Sequence, residues 1–384
     1  MNVRRSHSGS QVSPLPTATV SVAGRSILCE EAFLWMISIE RKRTERSGKP
    51  FLLMLLDMGE DLPTGKSGKI LGKILSALST ATRETDVTGW YKTDCIVGAV
   101  FTEISLDGRD SAVDAMISRV SETLQRNLSF EQFSQLSLSF HVFPEDWDHE
   151  VHTRPSNPTL YPDLMLRAET KRTSNVLKRA MDIVGSVLAL VCFSPVFLAV
   201  ALGIKATSKG PVFFRQRRIG QHGESFVFLK FRSMYMNNDS RIHQEYVTDL
   251  IAGTAEAHPN NGNGDGVYKL TRDPRITPFG SFLRRTSLDE LPQFVNVLMG
   301  EMSLVGPRPP VPYEVEAYDV WHRRRLLEAK PGITGLWQVN GRSRVKFDDM
   351  VRLDLQYART WSPWMDVKIL LRTPVAVLFG EGAH

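Results

Sequence analysis

The chain has 384 residues, of which 42% are hydrophobic and 23% are charged. This length exceeds the usual size of a single domain and favours two. The three cysteines, Cys29, Cys95 and Cys192, form no C-x-x-C pair, which excludes a disulfide framework and favours a reducing, cytosolic compartment.

Charge divides the chain into two halves. Residues 1–170 contain 18 Lys and Arg against 22 Asp and Glu, whereas residues 171–384 contain 29 against 20. An acidic half therefore precedes a basic half. A basic half suits an anionic partner, whether a lipid surface, a nucleotide phosphate or nucleic acid.

The first domain is predicted to follow a short tail. Residues 1–25 are rich in Ser, Thr and Pro with little amphipathic pattern, and they predict a disordered tail. Residues 26–145 alternate between helical and strand patterns, which predicts an α/β sandwich. Helices are expected over Ile27–Arg46, Lys69–Arg83 and Ser111–Gln125, and strands over Pro50–Asp57, as a pair within Asp86–Phe101, and over Leu136–Phe143.

This order of elements resembles a GGDEF-type nucleotidyl-cyclase domain, which has a ferredoxin-like fold. Trp90–Ile96 occupies the position of the signature hairpin, where Asp94 is the one signature residue that survives. Lys92, Thr93 and Cys95 replace the glycines that let the backbone approach a nucleotide and the acidic residues that hold metal. The resemblance therefore implies a degenerate domain with a regulatory or dimerising role.

A linker is expected next. Residues 146–174 are rich in Pro, Asp, His and Asn and interrupt the periodicity of the flanking segments. We expect the second domain to occupy residues 175–384.

An uncharged apolar segment, Ile183–Ile204, opens the second domain and is long enough to reach across the hydrocarbon of a bilayer. Basic residues flank it on both sides, so the positive-inside rule puts both of its ends on the cytoplasmic face. A helix that enters, breaks at Ser194 and Pro195 and returns satisfies this rule, with Ser194 or its neighbours bonding the freed carbonyls. A spanning helix and a buried core helix remain the alternatives.

The segment after this hairpin is basic and aromatic. Phe213–Arg218 has a composition typical of a membrane interface. Nucleic-acid binding uses similar residues but needs no apolar segment upstream, so we expect no nucleic-acid partner. Phe226–Phe231 predicts a strand that presents Lys230 and, directly after it, Arg232, whereas Asn237–Lys269 is expected to be a loop.

Two adjacent carboxylates, Asp289 and Glu290, precede apolar residues at helical spacing. The spacing predicts a helix over Pro292–Met299. Two N-termini are compatible with the sequence: Ser287 as the N-cap of a capping box with Glu290, or Pro292 at the first helical position with the carboxylates just before it.

Either arrangement leaves backbone N–H groups beside the carboxylates, and a helix N-terminus of this kind attracts phosphate. Arg284, Arg285 and Arg308 can add charge-assisted hydrogen bonds to the same anion. An acid beside phosphate-binding groups suggests phosphoryl chemistry. Simple capping of a helix by these carboxylates is the structural alternative.

Helical patterns continue towards the C-terminus. Trp321–Leu327 predicts an amphipathic helix whose basic residues face solvent or lipid, and Phe347–Tyr357 predicts another helix. Val367–Val377, preceded by Trp361 and Trp364, predicts either an interfacial helix or a core helix. The sequence contains no H-E-x-x-H or G-x-S-x-G motif that offers another catalytic centre.

Sequence blocks across the C-terminal half closely resemble the bacterial sugar transferases, the monotopic phosphoglycosyl transferases. A match over so many blocks is not explained by chance. The blocks are Lys178–Asp182, Gly210–Gln216, Lys230–Met234, Asp273–Arg275, Ser281–Pro310, Lys330–Gly335 and Trp361–Thr373.

The resemblance implies an α+β, membrane-associated catalytic domain with a re-entrant helix hairpin on the cytoplasmic face of the bacterial inner membrane. It implies transfer of a sugar 1-phosphate from a UDP-sugar to undecaprenyl phosphate, with Mg2+ as cofactor, to initiate synthesis of an exopolysaccharide, O-antigen or capsule-type glycan. Asp289 is then the expected nucleophile and Glu290 a metal ligand or acid–base partner, and both are candidate ligands for the metal.

Several basic residues are expected to bind the substrate phosphates in this scheme. They are Lys230, Arg232, Arg284, Arg308 and Arg342. Membrane lipid is an expected partner, and a homo-oligomer is compatible with the sequence. The opposing hypothesis is a catalytically inactive, membrane-anchored regulatory or scaffold protein, against which the intact pair of carboxylates argues.

Overall fold

The computed structural model describes residues 19–22, 25–59, 67–102, 104, 109–134, 136–144, 158–162, 172–236, 241–254, 275–341 and 345–379. The chain divides into two compact units. The first comprises residues 1–145 and 157–166, and the second comprises residues 146–156 and 167–384. Each unit has its own hydrophobic core in the described residues.

The first unit is built on a six-stranded sheet with strand order β1-β2-β4-β5-β3-β6. Its strands are β1 (Thr19–Val22), β2 (Arg25–Leu28), β3 (Phe51–Asp57), β4 (Val87–Lys92), β5 (Ile96–Phe101) and β6 (Ser137–Phe143). Strand β3 pairs antiparallel with β5 and β6 and is buried along nearly its whole length. A strand covered on both faces needs a continuous apolar run, which explains its sequence FLLMLLD.

The helices of this unit confirm the predicted alternation of helices and strands. They are α1 (Glu30–Ser47), α2 (Ser67–Ala81), α3 (Arg109–Asn127) and α4 (Phe130–Ser134). Helix α1 ends at Gly48, whose φ of 71° is the left-handed conformation that glycine adopts without steric cost. The predicted hairpin at Trp90–Ile96 is formed by β4 and β5, with its turn at residues 93–95.

Two expectations for the N-terminal part of the chain are wrong. The predicted tail extended to residue 25, yet Thr19–Val22 pairs as a strand with Arg25–Leu28. Ile27 was predicted to begin a helix but lies in β2, where Leu28 pairs with Gly89 of β4. Cross-strand pairing overrides the local helical pattern at these residues. Residues 1–18 lie outside the described part of the chain.

Part of the predicted linker packs in the first unit. Tyr161 is buried, its ring lies against the Phe143 ring, and the Arg41 guanidinium lies 4.8 Å from the Tyr161 ring centroid. Arg41 also donates a hydrogen bond to the Leu160 carbonyl at 3.3 Å. These contacts, which periodicity does not reveal, place residues 158–162 in the fold of this unit.

The second unit combines two short β pairs with many helices. Strands β7 (Phe213–Ile219) and β8 (Ser225–Phe231) form an antiparallel hairpin, and β9 (Ser303–Val305) pairs parallel with β10 (Gly332–Thr334). The helices are α5 (Arg172–Cys192), α6 (Ser194–Thr207), α7 (Arg241–Ala252), α8 (Pro278–Arg285), α9 (Gln293–Met299), α10 (Pro312–Glu316), α11 (Val320–Glu328), α12 (Leu336–Asn340), α13 (Phe347–Thr360) and α14 (Pro363–Phe379). A mixed α and β unit was expected.

The predicted loop Asn237–Lys269 is wrong in part, because it contains helix α7. Val247 and Ile251 of this helix are buried in a core with Val351 and Leu355 of α13. These contacts with a distant part of the chain stabilise the helix, and the polar sequence around it gave no sign of them. Residues 255–274, which hold the glycine-rich part of the predicted loop, lie outside the described chain.

The apolar segment forms two helices that meet at Phe193. No helix in the described part of the chain is by itself long and apolar enough to span a membrane. Thr173–Cys192 and Ser194–Thr207 meet that criterion as a pair, and they bend by 60° at the break. Ser194 Oγ donates a hydrogen bond to the Val191 carbonyl at 2.8 Å, which satisfies a carbonyl freed by the break as predicted.

Both helices of this pair dock on the rest of the second unit. A Cβ atom at Gly185 of α5 would lie 2.6 Å from Leu304, and one at Gly203 of α6 would lie 2.5 Å from the Phe279 ring. Only glycine permits these close approaches. The opposite faces expose large apolar side chains: Ile183, Val184, Val187, Leu188, Val191, Leu198 and Leu202.

Candidate active site

The two carboxylates lie on a single 3-10 turn, Leu288–Glu290, directly before helix α9. Ser287 has a φ of 54° and makes no capping hydrogen bond with its side chain, so the predicted capping box is absent. The alternative with Pro292 is closer, although Pro292 is the N-cap and not the first helical residue. The carboxylates therefore do not cap α9 and are available for other contacts.

Strand β8 brings a lysine to these carboxylates. Lys230 Nζ lies 2.8 Å from Glu290 Oε1 and 3.9 Å from Asp289 Oδ2. The Asp289 side chain is 9% exposed and that of Glu290 is 34% exposed. The structure thus places Lys230 beside both carboxylates, and the two carboxylates differ in how deeply they are buried.

Burial raises the pKa of Asp289 to about 6. Lys230 opposes this rise in pKa, the negative charge of Glu290 adds to it, and Arg284 and a backbone hydrogen bond oppose it. A carboxylate with a raised pKa is more basic when ionised, and shifts of this kind are common at catalytic groups.

Asn296 fixes helix α9 to strand β8, and sequence reasoning missed it. Its side chain accepts a hydrogen bond from the Leu229 N–H at 3.1 Å and donates to the Val227 carbonyl at 2.7 Å and to Glu301 at 2.6 Å. Asn296 is fully buried. These bonds hold the helix that follows the carboxylates against the strand that carries Lys230. An amide between two valines on an apolar helix face was the available sequence signal.

Two cations hold the other end of α9. Arg179 donates to the Val297 and Leu298 carbonyls at 2.6 and 2.7 Å, and Lys330 Nζ donates to the Gly300 carbonyl at 2.7 Å. Basic groups at a helix C-terminus satisfy its last carbonyls and suit its dipole. Both residues lie in blocks that carry the family resemblance, but their positioning role was not predicted.

Arg284, which was predicted to bind phosphate, lies close enough to Asp289 to influence its pKa. Its Nε donates a hydrogen bond to Ser233 Oγ at 3.0 Å, and its charge opposes the rise in the pKa of Asp289.

Arg232 does not have the predicted phosphate-binding geometry. Its guanidinium is buried and donates to the Lys209 carbonyl at 2.8 Å, the Ser208 carbonyl at 2.9 Å and Ser208 Oγ at 2.7 Å. Arg232 therefore closes the C-terminal end of α6. Side chains two residues apart in extended chain point to the same side, so Lys230 and Arg232 were expected to face the same site. The hydrogen bonds to Ser208 and Lys209 hold the Arg232 guanidinium at the end of α6 instead.

Arg308 is exposed and lies with a different set of residues. Its carbonyl accepts a hydrogen bond from Arg325 at 3.0 Å, and its charge acts on Arg218 and Tyr313. Arg342 lies outside the described part of the chain.

The two carboxylates fit a Mg2+ site that the substrate helps to complete. Among the residues that the structure describes, no group of three His, Cys, Asp or Glu side chains is placed to hold a metal. Mg2+ is commonly bound by one or two carboxylates together with substrate phosphates. Asp289 and Glu290 have the right donor atoms for this, with Glu290 the more exposed.

Comparison with known proteins gives similarity to sugar-phosphate transferases over slightly more than half of this chain. The undecaprenyl-phosphate galactose phosphotransferase of Salmonella typhimurium is 46% identical over 217 residues, which cover 56% of this chain and 43% of that protein. The exopolysaccharide production protein ExoY of Sinorhizobium fredii is 41% identical over 209 residues, which cover 54% of this chain and 88% of that protein. The UDP-glucose:undecaprenyl-phosphate glucose-1-phosphate transferase of Escherichia coli is 42% identical over 224 residues, 55% of this chain and 42% of that protein. This chain thus spans less than half the length of the first and third relatives.

A solved structure of a DGC protein from Thermotoga maritima is similar over 32% of this chain and 88% of its own, with 18% identity and a TM-score of 0.26. The GGDEF-like interpretation of the first unit stays a prediction, because a score of this size carries no argument. The second unit gives a clear result, since the family model described as bacterial sugar transferase matches residues 173–380. The chain therefore belongs to the bacterial sugar transferase family.

Proposed function

We propose that the second unit transfers a sugar 1-phosphate from a UDP-sugar to undecaprenyl phosphate and releases UMP. The observation that carries this proposal is the pair formed by a buried carboxylate and a partly exposed one, with Lys230 within 4 Å of both. Relatives named as undecaprenyl-phosphate galactose and glucose 1-phosphate transferases support the choice of substrates.

The reaction is proposed to proceed in two displacements at one phosphorus atom. A carboxylate oxygen of Asp289 attacks the β-phosphorus of the UDP-sugar, and the bond from that phosphorus to the bridging oxygen breaks. UMP leaves with the bonding electron pair, and an aspartyl phosphosugar remains. An oxygen of the lipid phosphate then attacks the same phosphorus and releases the Asp289 carboxylate.

Charge stabilisation is the main catalytic task in phosphoryl transfer. Lys230, held by Glu290 at 2.8 Å, is positioned to stabilise negative charge on the transferring phosphoryl oxygens. We assign Arg308 to the phosphate that leaves with UMP. Its exposed side chain belongs to a basic cluster that is separate from Lys230 and the two carboxylates. Mg2+ would be held by Glu290 and Asp289 together with the diphosphate, and it would neutralise charge on the phosphates.

The lipid substrate requires access from a bilayer, and the bent helix pair supports a membrane-bound, monotopic arrangement. Its outer faces expose large apolar side chains, and basic residues flank it at both ends. The adjoining strand β7 exposes Phe213 and Phe214, and α14 exposes Trp364 and Leu371, a composition suited to the headgroup region. We propose that the pair is re-entrant and that the catalytic residues face the cytoplasm at the bacterial inner membrane.

The product, a polyprenol diphosphate sugar, is a carrier-linked first sugar to which others can be added. The similarity to ExoY, an exopolysaccharide production protein, supports a place at the start of exopolysaccharide-type synthesis.

The proposal is tested by incubating purified protein with a panel of UDP-sugars, Mg2+ and no lipid. We expect about one UMP per active site and a phosphosugar on Asp289, detected by mass spectrometry of peptides. Addition of undecaprenyl phosphate should then give turnover. Asp289→Asn should release no UMP, and Asp349→Asn, at a carboxylate that is 54% exposed and paired with Arg352, should behave like the wild type.

Two results would contradict parts of this scheme. UMP release only when lipid is present, with no adduct, would mean direct transfer and would leave Asp289 as a metal ligand or base. No UMP release from any UDP-sugar with or without lipid would favour the inactive scaffold.

A further inference from the structure

The loop that carries Arg308 is held almost entirely through its carbonyl groups. Three of the four residues from Pro307 to Pro310 are prolines, which have no backbone N–H to donate. The loop must therefore be fixed by donors from elsewhere. The Gly332 N–H donates to the Pro307 carbonyl at 2.8 Å, and the Ile219 N–H donates to the Pro310 carbonyl at 2.9 Å.

Two buried arginines supply the donors for the middle of the loop. Arg218 Nη1 donates to the Pro309 carbonyl at 2.8 Å, and Arg325 Nη2 donates to the Arg308 carbonyl at 3.0 Å. They approach from different elements, β7 and α11. Four consecutive carbonyls are thus occupied, and the Arg308 side chain is left exposed.

Arg325 has a carboxylate partner. Its Nη2 lies 2.9 Å from Asp354 Oδ2, and both side chains are almost fully buried. Burial is the largest single effect and lowers the pKa of Arg325, but the charges of Asp354, Tyr318 and Glu314 together outweigh burial and raise it. The prediction that the basic residues of Trp321–Leu327 face solvent or lipid is wrong for Arg325, because the ion pair with Asp354 permits its burial. It is also wrong for His322 and Arg324, which are buried as well.

Arg218 lacks such a partner. Its Nε donates to Gln216 Oε1 at 3.1 Å, and no carboxylate in the described residues lies within ion-pair distance of it. Burial, followed by the nearby charge of Arg308, lowers the pKa of Arg218 to about 10. Glu314, Tyr313 and Tyr318 act in the opposite direction and raise this pKa. A buried guanidinium without an ion pair is costly, and an anion held at Arg308 would offset that cost.

The position of Arg218 also relates the loop to the carboxylates. The Arg218 guanidinium lies 5.2 Å from the Phe228 ring centroid, and Lys230 Nζ lies 5.4 Å from the same centroid. The two charges are therefore no farther apart than the sum of these distances. Lys230, beside the carboxylates, and Arg218, which donates to the Arg308 loop, therefore both lie next to the Phe228 ring of β8.

We propose that Arg218 is a positioning residue that holds the Pro307–Pro310 loop, so that Arg308 binds the phosphate of the nucleotide while Lys230 acts at the phosphorus that is transferred. This inference rests on the proposed function for the identity of the nucleotide. Arg218 acts through Arg308, because it holds the Pro309 carbonyl of the loop, and it does not itself contact the substrate.

The test measures nucleotide binding in four variants of the full chain: Arg218→Met, Arg218→Lys, Arg308→Met and the Arg218→Met/Arg308→Met double variant. We expect Arg218→Met to raise the KM for the UDP-sugar, and the Kd for UMP alone, by roughly tenfold, with a smaller change in kcat. Arg218→Lys should recover part of this loss, because it keeps one charged donor for the Pro309 carbonyl. Arg352→Met, at an arginine that is 67% exposed, is the matched control and should match the wild type.

The double variant decides between positioning and direct contact. If Arg218 acts through Arg308, the double variant should bind UMP no more weakly than Arg308→Met alone. Additive losses, or an unchanged KM and Kd in Arg218→Met, would overturn the proposal. Should Arg218→Met fail to fold, Arg218→Lys combined with Arg308→Met gives the same comparison. Absence of UMP release by the wild type would instead refute the proposed function. The Kd for UMP does not depend on turnover, so its values in the variants test the positioning role of Arg218 separately.

Discussion

Lys230 Nζ lies 2.8 Å from Glu290 Oε1 but 3.9 Å from Asp289 Oδ2, so one lysine contacts the partly exposed carboxylate directly and acts on the buried one at longer range. Glu290 and Asp289 thereby share Lys230 as a cationic partner. Asp289 is left more desolvated and, once ionised, more basic. These are the properties that a carboxylate nucleophile and its companion require.

Activity should show an acidic limit set by Asp289. Burial raises the pKa of this carboxyl to about 6, and only the ionised form can attack phosphorus. We expect the rate of lipid-independent UMP release to be level above this pH and to fall about tenfold for each pH unit below it. The measurement is a single-turnover pH profile with a UDP-sugar that the enzyme accepts. A rate that stays level to pH 4.5, about 1.5 units below this pKa, would contradict the assignment.

Removal of the lysine should move that limit. Lys230 opposes the rise in the pKa of Asp289, so Lys230→Met should raise this pKa further and shift the acidic limit to higher pH. It should also lower the rate at the plateau, because a charge near the phosphoryl oxygens is lost. Lys230→Arg should restore the position of the limit better than the plateau. Lys346→Met, at an exposed lysine, is the control, and the same shift in that variant would mean that net charge alone is responsible.

Local sequence patterns predicted much of the secondary structure of the second unit, because helices, strands and turns depend largely on residues that are neighbours in the chain. The break at Ser194 and Pro195 follows from the properties of proline, and the strand with Lys230 follows from a run of apolar and aromatic residues. The carboxylate turn followed from residues adjacent in sequence.

Long-range partners were beyond those patterns. Arg232 and Arg308 are both arginines in basic blocks, yet the first bonds the end of α6 and the second stands exposed on a proline loop. Arg218 and Asn296 read as ordinary polar residues in sequence, because burial depends on elements far away in the chain. Sequence spacing shows which residues are neighbours in the chain. It does not show which backbone carbonyls in the folded protein accept hydrogen bonds from a distant side chain.

Arg232 should matter for stability and not for substrate binding. Arg232→Met removes three charge-assisted hydrogen bonds and leaves the Ser208 and Lys209 carbonyls without this donor. We expect a loss of about 3 kcal/mol in the free energy of unfolding, measured by denaturant titration in detergent. The KM for the UDP-sugar of the folded fraction should stay within about twofold of the wild-type value. A large rise in KM at unchanged stability would restore the phosphate-binding role that the sequence suggested.

The membrane arrangement is tested with single cysteines in sealed vesicles of defined orientation. In a background of Cys29→Ser and Cys95→Ser, native Cys192 lies next to the break and is exposed on the protein surface. If the helix pair is re-entrant, Cys192 lies in hydrocarbon, so a membrane-impermeant maleimide should label it only after detergent is added. Thr173→Cys and Lys209→Cys, in the Cys192→Ser version of this background, should both react in inverted vesicles and neither should react in right-side-out vesicles. These two positions are exposed and lie at opposite ends of the pair.

Labelling of positions 173 and 209 from opposite sides would establish a spanning helix, and labelling of Cys192 without detergent in either kind of vesicle would remove it from the bilayer. Pro195 links this outcome to the 60° bend. It stands in the first turn of α6, where the missing N–H keeps α5 from continuing unbroken into α6. Pro195→Ala restores that donor, so a fraction of the variant should become labelled at position 209 from the opposite side. Unchanged one-sided labelling in Pro195→Ala would show that docking through Gly185 and Gly203 holds the bend without the proline.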